Sequence, residues 1–483
     1  MLRERWSPRL FVVLALIAAT ACVAPGLAFA QEARVEVAEA ALDHQRNVSL
    51  TVYSSGLALV REERVVSLAK GLNLLCFPDV PKELDSSSVR LRSLTAPGDL
   101  NVIEQSFEYD LASRVGLLEK YVGKEIGLNR DGVVRPARLL AVDPQGRLTV
   151  EMDGKILLDP LGEVELPSLP SGLFLRPTLS WLVDAKSDGS HVIGVTYLAE
   201  GLGWRANYAC VLDPAEKHVA LDGWVTLDNE SGATFRNASL RLVAGGVRAA
   251  EPEAAFKATA GLLATTLAVD AFREQPLFEY HSYELGRRTT VQDNQSKQIE
   301  LLSASNVPVK KLYVFESPRR SPEYEKYAGQ KETGDVKVIV QFQNKTDARL
   351  GIPLPAGQVR VYKASADGSL AFVGEDKIAH TPRDETVELY VGNAFDIVGE
   401  RLVTDYKKTG PSSYEEACCI RLRNHKDEDV EITVIERFYG EWAILSCVPT
   451  SYQKLDANTA AFKIKVPKGK EGEILYRVRV IAD

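Results

Sequence analysis

The chain predicts a mainly β protein: several antiparallel sheet modules, β-sandwich-like halves, a small SH3-like barrel and one short helix. Three observations carry this reading. Apolar residues recur at every second position in short runs such as residues 48–53 (VSLTVY), the period of a half-buried strand. Turn-forming pairs, above all Asp131-Gly132 and Asp153-Gly154, separate such runs at hairpin spacing. At 483 residues the chain is too long for one core, so roughly two to four domains are expected.

The first element is a leader. Arg3, Arg5 and Arg9 precede the apolar residues 11–19, and Ala28-Phe29-Ala30 follows. That is the charged, apolar and small-residue order of a secretory signal peptide over residues 1–30, with Gln31 as the first mature residue. Ala19-Thr20-Ala21-Cys22 offers an alternative, membrane anchoring by lipidation at Cys22. Against it, the large aliphatic residue such boxes prefer is missing and the following stretch is apolar. The leader's apolar run is too short for a bilayer core of ~30 Å. Residues 254–272, the nearest later approach to a span, contain Lys257 and Asp270, so no transmembrane span is expected in the mature chain. The expected location is exported, periplasmic or extracellular.

An N-terminal β module over 31–106 follows, with runs at 48–53, 57–68, 72–77 and 89–94 broken by Ser54-Ser55-Gly56 and Lys70-Gly71. Residues 107–168 form a second unit. Leu111, Val115 and Leu118 recur at helical spacing, Asp110 caps the start and Gly123 closes the end. Short runs at 125–128, 133–142, 147–152 and 155–158 then predict the SH3-like barrel. Leu166-Pro167-Ser168-Leu169-Pro170 is a stiff linker. Residues 171–250 are the first half of a sandwich. Residues 251–334 are expected as a mobile insertion, Ala/Glu/Thr-rich at first and polar with mixed charges at 316–334. The second half of the sandwich is expected over 335–483, closed by residues 474–481 (ILYRVRVI).

The net charge of −8 opposes general affinity for nucleic acid or anionic lipid, which are both polyanions. Without Cys22, five cysteines remain: Cys76, Cys210, Cys418, Cys419 and Cys447. An odd number leaves at least one free thiol. Cys76 and Cys210 sit in apolar runs and read as core residues. Neighbouring Cys418 and Cys419 point to opposite faces of a strand, so pairing of one of them with Cys447 stays open.

Two stretches resemble a bacterial envelope family, the domain of unknown function also found in mucoidy-inhibitor-like proteins. The first is Gly203-Trp204-Arg205-Ala206-Asn207-Tyr208 with Trp224-Val225-Thr226-Leu227-Asp228-Asn229-Glu230-Ser231-Gly232. The second is Leu354-Pro355-Ala356-Gly357 with Val359-Arg360-Val361-Tyr362-Lys363, Gly374-Glu375-Asp376, His380-Thr381-Pro382 and Gly392-Asn393-Ala394-Phe395-Asp396. Residues 52–60 resemble the β module that precedes this domain in relatives. Relatives place a long coiled coil between the modules, whereas heptads are absent here. The resemblance implies envelope location and β architecture and transfers no catalytic residue.

Candidate sites are few. Glu375, Asp376, His380 and Asp384 are the densest group of potential metal ligands, suited to a hard divalent ion; a solvated charged hairpin is the plainer reading. Trp204 and Tyr208 lie four apart, hence on one strand face, and with His380 and Asp396 they form the candidate ligand-binding set. Core packing is the alternative for the two aromatics. Tyr53, Tyr280, Tyr283 and Tyr313 are undecided in the same way. Asp184, Asp188 and Gly189 imitate part of a calcium loop but read better as a turn. Ser67-Leu68-Ala69-Lys70 has serine–lysine nucleophile spacing without companion motifs. The sequence has no G-x-S-x-G, H-E-x-x-H, phosphate loop or C-x-x-C. The expectation is a non-enzymatic cell-envelope protein without cofactor, a binding or scaffold module for an envelope protein or polymer. The alternative is a hydrolase of envelope polymer using carboxylates such as Asp376, Asp384 or Asp396.

Overall fold

The computed structural model describes residues 35–108, 114–168, 176–245, 272–277, 279–317, 329, 331–348, 350–449 and 451–481. The leader with Cys22, the Asp110 cap, residues 254–271 and most of 316–334 lie outside the described residues. Within them the chain is mainly strand, with one α-helix, Arg114–Glu119, and Gly123 just beyond it at φ 84°.

Four sheets form. The largest part of the N-terminal chain enters an eight-stranded sheet, ordered Phe272–Leu277, Tyr280–Leu285, Phe235–Ala244, Gln45–Tyr53, Leu57–Leu68, Gly189–Glu200 and Leu84–Ser93, with Thr289–Val291 beside Phe235–Ala244. A four-stranded sheet holds Glu36–Glu39, Gly71–Pro78, Thr178–Ala185 and Leu100–Glu108. Alternation dictates the faces: Leu50 and Val52 and, opposite them, Val60 and Ala58 are buried, as are Val48 and Val66 on the same two strands.

The third and largest sheet has thirteen strands. Its length comes from two strands of unusual extent, Gln295–Glu316 and Thr386–Gly410. Leu301 and Ala304 on one, and Val387 and Leu389 on the other, join the first core with Trp181, Phe77, Tyr197 and Trp204. Phe315, Ile397 and Val403 on the same two strands join a second core with Ile432, Phe462 and Tyr476. One sheet thus serves two cores.

Several expectations are corrected. Residues 31–106 are not a separate module: Ser49–Tyr53 pairs in parallel with Ser239–Val243, and Gly189–Glu200 runs between Leu57–Leu68 and Leu84–Ser93. The strands before and after the small unit need each other to bury their inward faces. The sheets are mixed, since parallel pairing also joins Ala206–Leu212 to Gly357–Lys363. The stretch read as a mobile insertion carries strands from Phe272 to Glu316. Register shifts interrupt its alternation, so that buried Leu301 and Leu302 are adjacent and Val307 lies three residues after Ala304.

The expected barrel is an open sheet of five strands, ordered Lys155–Leu158, Leu148–Met152, Val133–Val142, Glu125–Arg130 and Glu163–Glu165. The two outer strands have only four and three residues and no ladder joins them. The helix contributes Leu118 to its own small core with Ile126, Leu128, Leu139 and Val150. This unit leaves the fold between Glu108 and Thr178, which are paired neighbours, so it is an insertion at a hairpin.

One end of the thirteen-stranded sheet returns upon itself. The edge strand Leu370–Ile378 lies over Thr386–Gly410, where Asp376 Oδ2 accepts the Tyr390 N–H at 2.8 Å. A Cβ on Gly374 would sit 2.1 Å from the Val391 carbonyl oxygen, so this close approach requires glycine. The sheet curls without closing.

Candidate functional site

At the open end of that curl lies a groove of about 190 Å³. This is below the ~300–1,000 Å³ of drug-sized ligand sites. Its walls are Leu212, Val338, Val340, Val373 and Val391, and its rim carries Lys311, Lys363, Lys426, Glu216, Tyr313 and Phe395.

Register places each part. Lys311 and Tyr313 on Gln295–Glu316 stand opposite Val340 and Val338. Lys363, at the end of Gly357–Ala364, pairs with Leu212. Glu216 sits in the tight loop after Leu202–Leu212 at φ 56°. Asp213 shapes that loop: its Oδ1 accepts the Lys217 N–H at 2.8 Å and the His218 N–H at 3.2 Å. Lys426 follows Asn424, a buried residue whose amide donates to the carbonyls of Glu428, Val466 and Pro467. The His425 N–H donates to the Asp396 carbonyl at 2.8 Å, pinning the Lys426 turn beside the strand that carries Phe395.

The electrostatics are lopsided. Lys311 donates to one Glu216 oxygen and Lys363 to the other. Burial would raise the Glu216 carboxyl, but the two ammonium groups outweigh it and hold it below the usual carboxylate range. Burial would lower Lys311, yet its hydrogen bonds to Glu216 and Tyr313 leave it raised. Glu428 is 3.8 Å from Lys311. Lys426 has only the Tyr313 ring, 5.8 Å from its Nζ, and forms no ion pair among the described residues. Beside it the Phe395 ring is 97% exposed, at the far end of the range for an aromatic side chain.

The residues singled out in the sequence fall elsewhere. Trp204 and Tyr208 do share a face, and both are buried. Trp204 Nε1 donates to the Val243 carbonyl at 3.3 Å and its ring meets Tyr283 edge-on. Tyr208 donates to the Pro355 carbonyl at 2.8 Å. They hold the core rather than a ligand. His380 accepts the Ala356 N–H on Nδ1 at 3.1 Å, and burial together with nearby His281 keeps it below its ordinary value. Asp396 is exposed next to the groove's Phe395.

Of the four candidate metal ligands, His380, Glu375 and Asp376 have side-chain partners, whereas Asp384 is held through its backbone. Glu375 accepts from Gln358 at 2.9 Å, Asp376 binds the Tyr390 and Lys377 N–H groups, and the Asp384 N–H donates to the Asn344 carbonyl. No three His, Cys, Asp or Glu side chains converge on a metal position among the described residues. The carboxylates offered for hydrolysis, Asp376, Asp384 and Asp396, do not line the groove.

The turns that carry the two remaining motifs are joined to each other. Asp188 Oδ1 accepts the Lys70 N–H at 2.7 Å, so both residues tie turns together. The five cysteines among the described residues are free. Cys418 and Cys447 lie opposite Tyr476 from either side, two strand spacings of ~4.8 Å apart and beyond disulfide reach. No helix among the described residues is long and apolar enough to cross a membrane.

A scan against family models finds no match to the chain, and a search of curated proteins finds no relative.

Proposed function

We propose that the protein is an exported, non-enzymatic binding module of the cell envelope that holds its ligand in the groove at the open end of the curled sheet. One observation carries this: a phenyl ring exposed to 97% stands beside ammonium groups over an apolar-walled groove. Exposed aromatic rings next to convergent polar groups mark recognition surfaces more than packing. Export rests on the leader pattern of residues 1–30. Envelope location rests on that leader and on the likeness of the two quoted segments to the bacterial envelope family. An envelope protein or polymer would be the source of the bound group.

The test is a fragment screen by saturation-transfer NMR, using organic acids, amines, saccharides and short peptides on the mature chain from Gln31. The expected result is at least one class whose signal Phe395→Ala abolishes while the melting temperature is kept. No binder in any class, or binders indifferent to Phe395→Ala, would overturn the reading. Mass spectrometry of the protein recovered from an exporting cell checks the leader, with Gln31 expected at the N-terminus.

A further inference from the structure

We infer that the groove takes a small organic carboxylate with a single apolar group, bound head-first against Lys426. The inference rests on the reading just given and names the ligand class of that same site.

The charge arrangement sets the head group. Three ammonium groups, Lys311, Lys363 and Lys426, face Glu216 and, at 3.8 Å from Lys311, Glu428. That leaves one positive charge over. Hydrogen bonding says the same more sharply. An ammonium has three donors and no acceptor. Glu216 takes one donor from Lys311 and one from Lys363, and each of its oxygens is thereby engaged. Lys426 has no carboxylate among the described residues, only the face of Tyr313 at 5.8 Å. The rim is rich in donors and poor in acceptors, so the group it lacks is an anionic acceptor. A cationic ligand would meet three ammonium groups, with Glu216 already shared by two of them and Glu428 beside Lys311.

The walls set the rest. Val338, Val340, Val373, Val391 and Leu212 present hydrocarbon, and the exposed Phe395 joins them in the lining. A volume of about 190 Å³ suits one fragment-sized group, not a chain of sugars or a long acyl tail. A phenyl or branched aliphatic group bearing a carboxylate satisfies head and wall together. The same chemistry occurs in a free organic acid and in the C-terminal residue of a peptide.

The experiment is calorimetric titration of the mature chain with four probes: 3-phenylpropionate, its neutral amide, 3-phenylpropylamine and N-acetyl-phenylalanine. The acid is expected to bind at least tenfold more tightly than the amide, the difference between a charge-assisted and a neutral hydrogen bond. The amine should show no heat. Lys426→Gln should weaken the acid about tenfold and leave the amide unchanged, and Lys426→Arg should restore the acid. Tighter binding of N-acetyl-phenylalanine than of the free acid assigns the peptide terminus as source; the reverse order assigns the free acid.

Equal binding of acid and amide, preference for the amine, or indifference to Lys426→Gln overturns the inference. If a saccharide or the amine binds and Phe395→Ala removes it, the binding role stands and the carboxylate class alone is wrong. If nothing binds, both fall.

Discussion

Each of the two cores buries one arginine, and they are paired in different ways. Arg64, fully buried, gives Nε and Nη2 to Glu62 Oε2 at 3.2 and 2.6 Å, and Nη1 to the carbonyls of Ala40 and Pro78. Its guanidinium lies 3.6 Å from the centre of the Phe77 ring, and the other Glu62 oxygen accepts the Tyr197 hydroxyl at 2.6 Å. Arg401 meets two carboxylates, Glu436 at 3.2 Å and Glu416 at 2.6 Å. Glu436 also accepts from Tyr476 and Ser317, and Glu416 from the Cys418 thiol, while Arg401 Nη1 is buried without a partner. The first network is balanced and nearly every donor is placed. The second has an extra negative charge, and protonated hydroxyl and thiol groups absorb it. Burial, with the neighbouring carboxylates, pushes the Cys418 thiol and Tyr476 hydroxyl well above their ordinary values, against the opposing pull of Arg401. A buried charge needs donors as well as a counter-charge.

The largest expected effect is on the balanced network. Arg64→Met leaves Glu62 buried without its cation, at a cost of about 3–5 kcal/mol; denaturant melts measure it. Adding Glu62→Leu and Tyr197→Phe should recover much of that loss, because the ion pair and the hydroxyl that donates to it leave together. In the second core Arg401→Met with Glu436→Leu should not recover, since Glu416 stays behind. Equal recovery in both cores would erase the contrast.

The next effect is alkaline. A thiol with a raised folded value stays protonated while the unfolded chain ionises near ~8.5, so stability is full below that pH and falls as pH rises toward the folded value. Cys418→Ser should remove one proton's share of that slope, about 1.4 kcal/mol per pH unit at most. Melts between pH 8 and 10 that keep the wild-type slope would contradict the assignment. The smallest effect is Glu416→Gln, which removes the surplus charge and keeps an acceptor. It should change stability by less than ~1 kcal/mol, and a loss above ~3 kcal/mol would show that Glu416 is the main counter-charge.

What the sequence made legible was local. Asp131-Gly132 and Asp153-Gly154 have positive φ at both positions, the two-residue hairpin their chemistry requires. Trp204 and Tyr208 share a face because strand geometry demands it, but their burial depends on partners such as Tyr283 and Pro355 far along the chain. Gln295–Glu316 was hidden because register shifts interrupt its alternation, so that buried Leu301 and Leu302 fall side by side. The groove was hidden for another reason. Glu216, Lys311, Lys363, Phe395 and Lys426 are spread over the chain and meet only through sheet register and the Asn424 turn. Of the aromatics left undecided, Tyr313 alone lines the groove, and nothing in its own neighbourhood marks it out. Phe395 lies inside the quoted 392–396 segment, where the charge of Asp396 is the more conspicuous feature.

The most direct test of the groove as the binding site is to place 4-fluorophenylalanine at position 395 and follow its fluorine signal as carboxylate ligand is added. The predicted result is a saturable shift at position 395, with the same label at buried Phe438 unmoved. A silent signal at 395 with ligand demonstrably bound would put recognition elsewhere on the molecule.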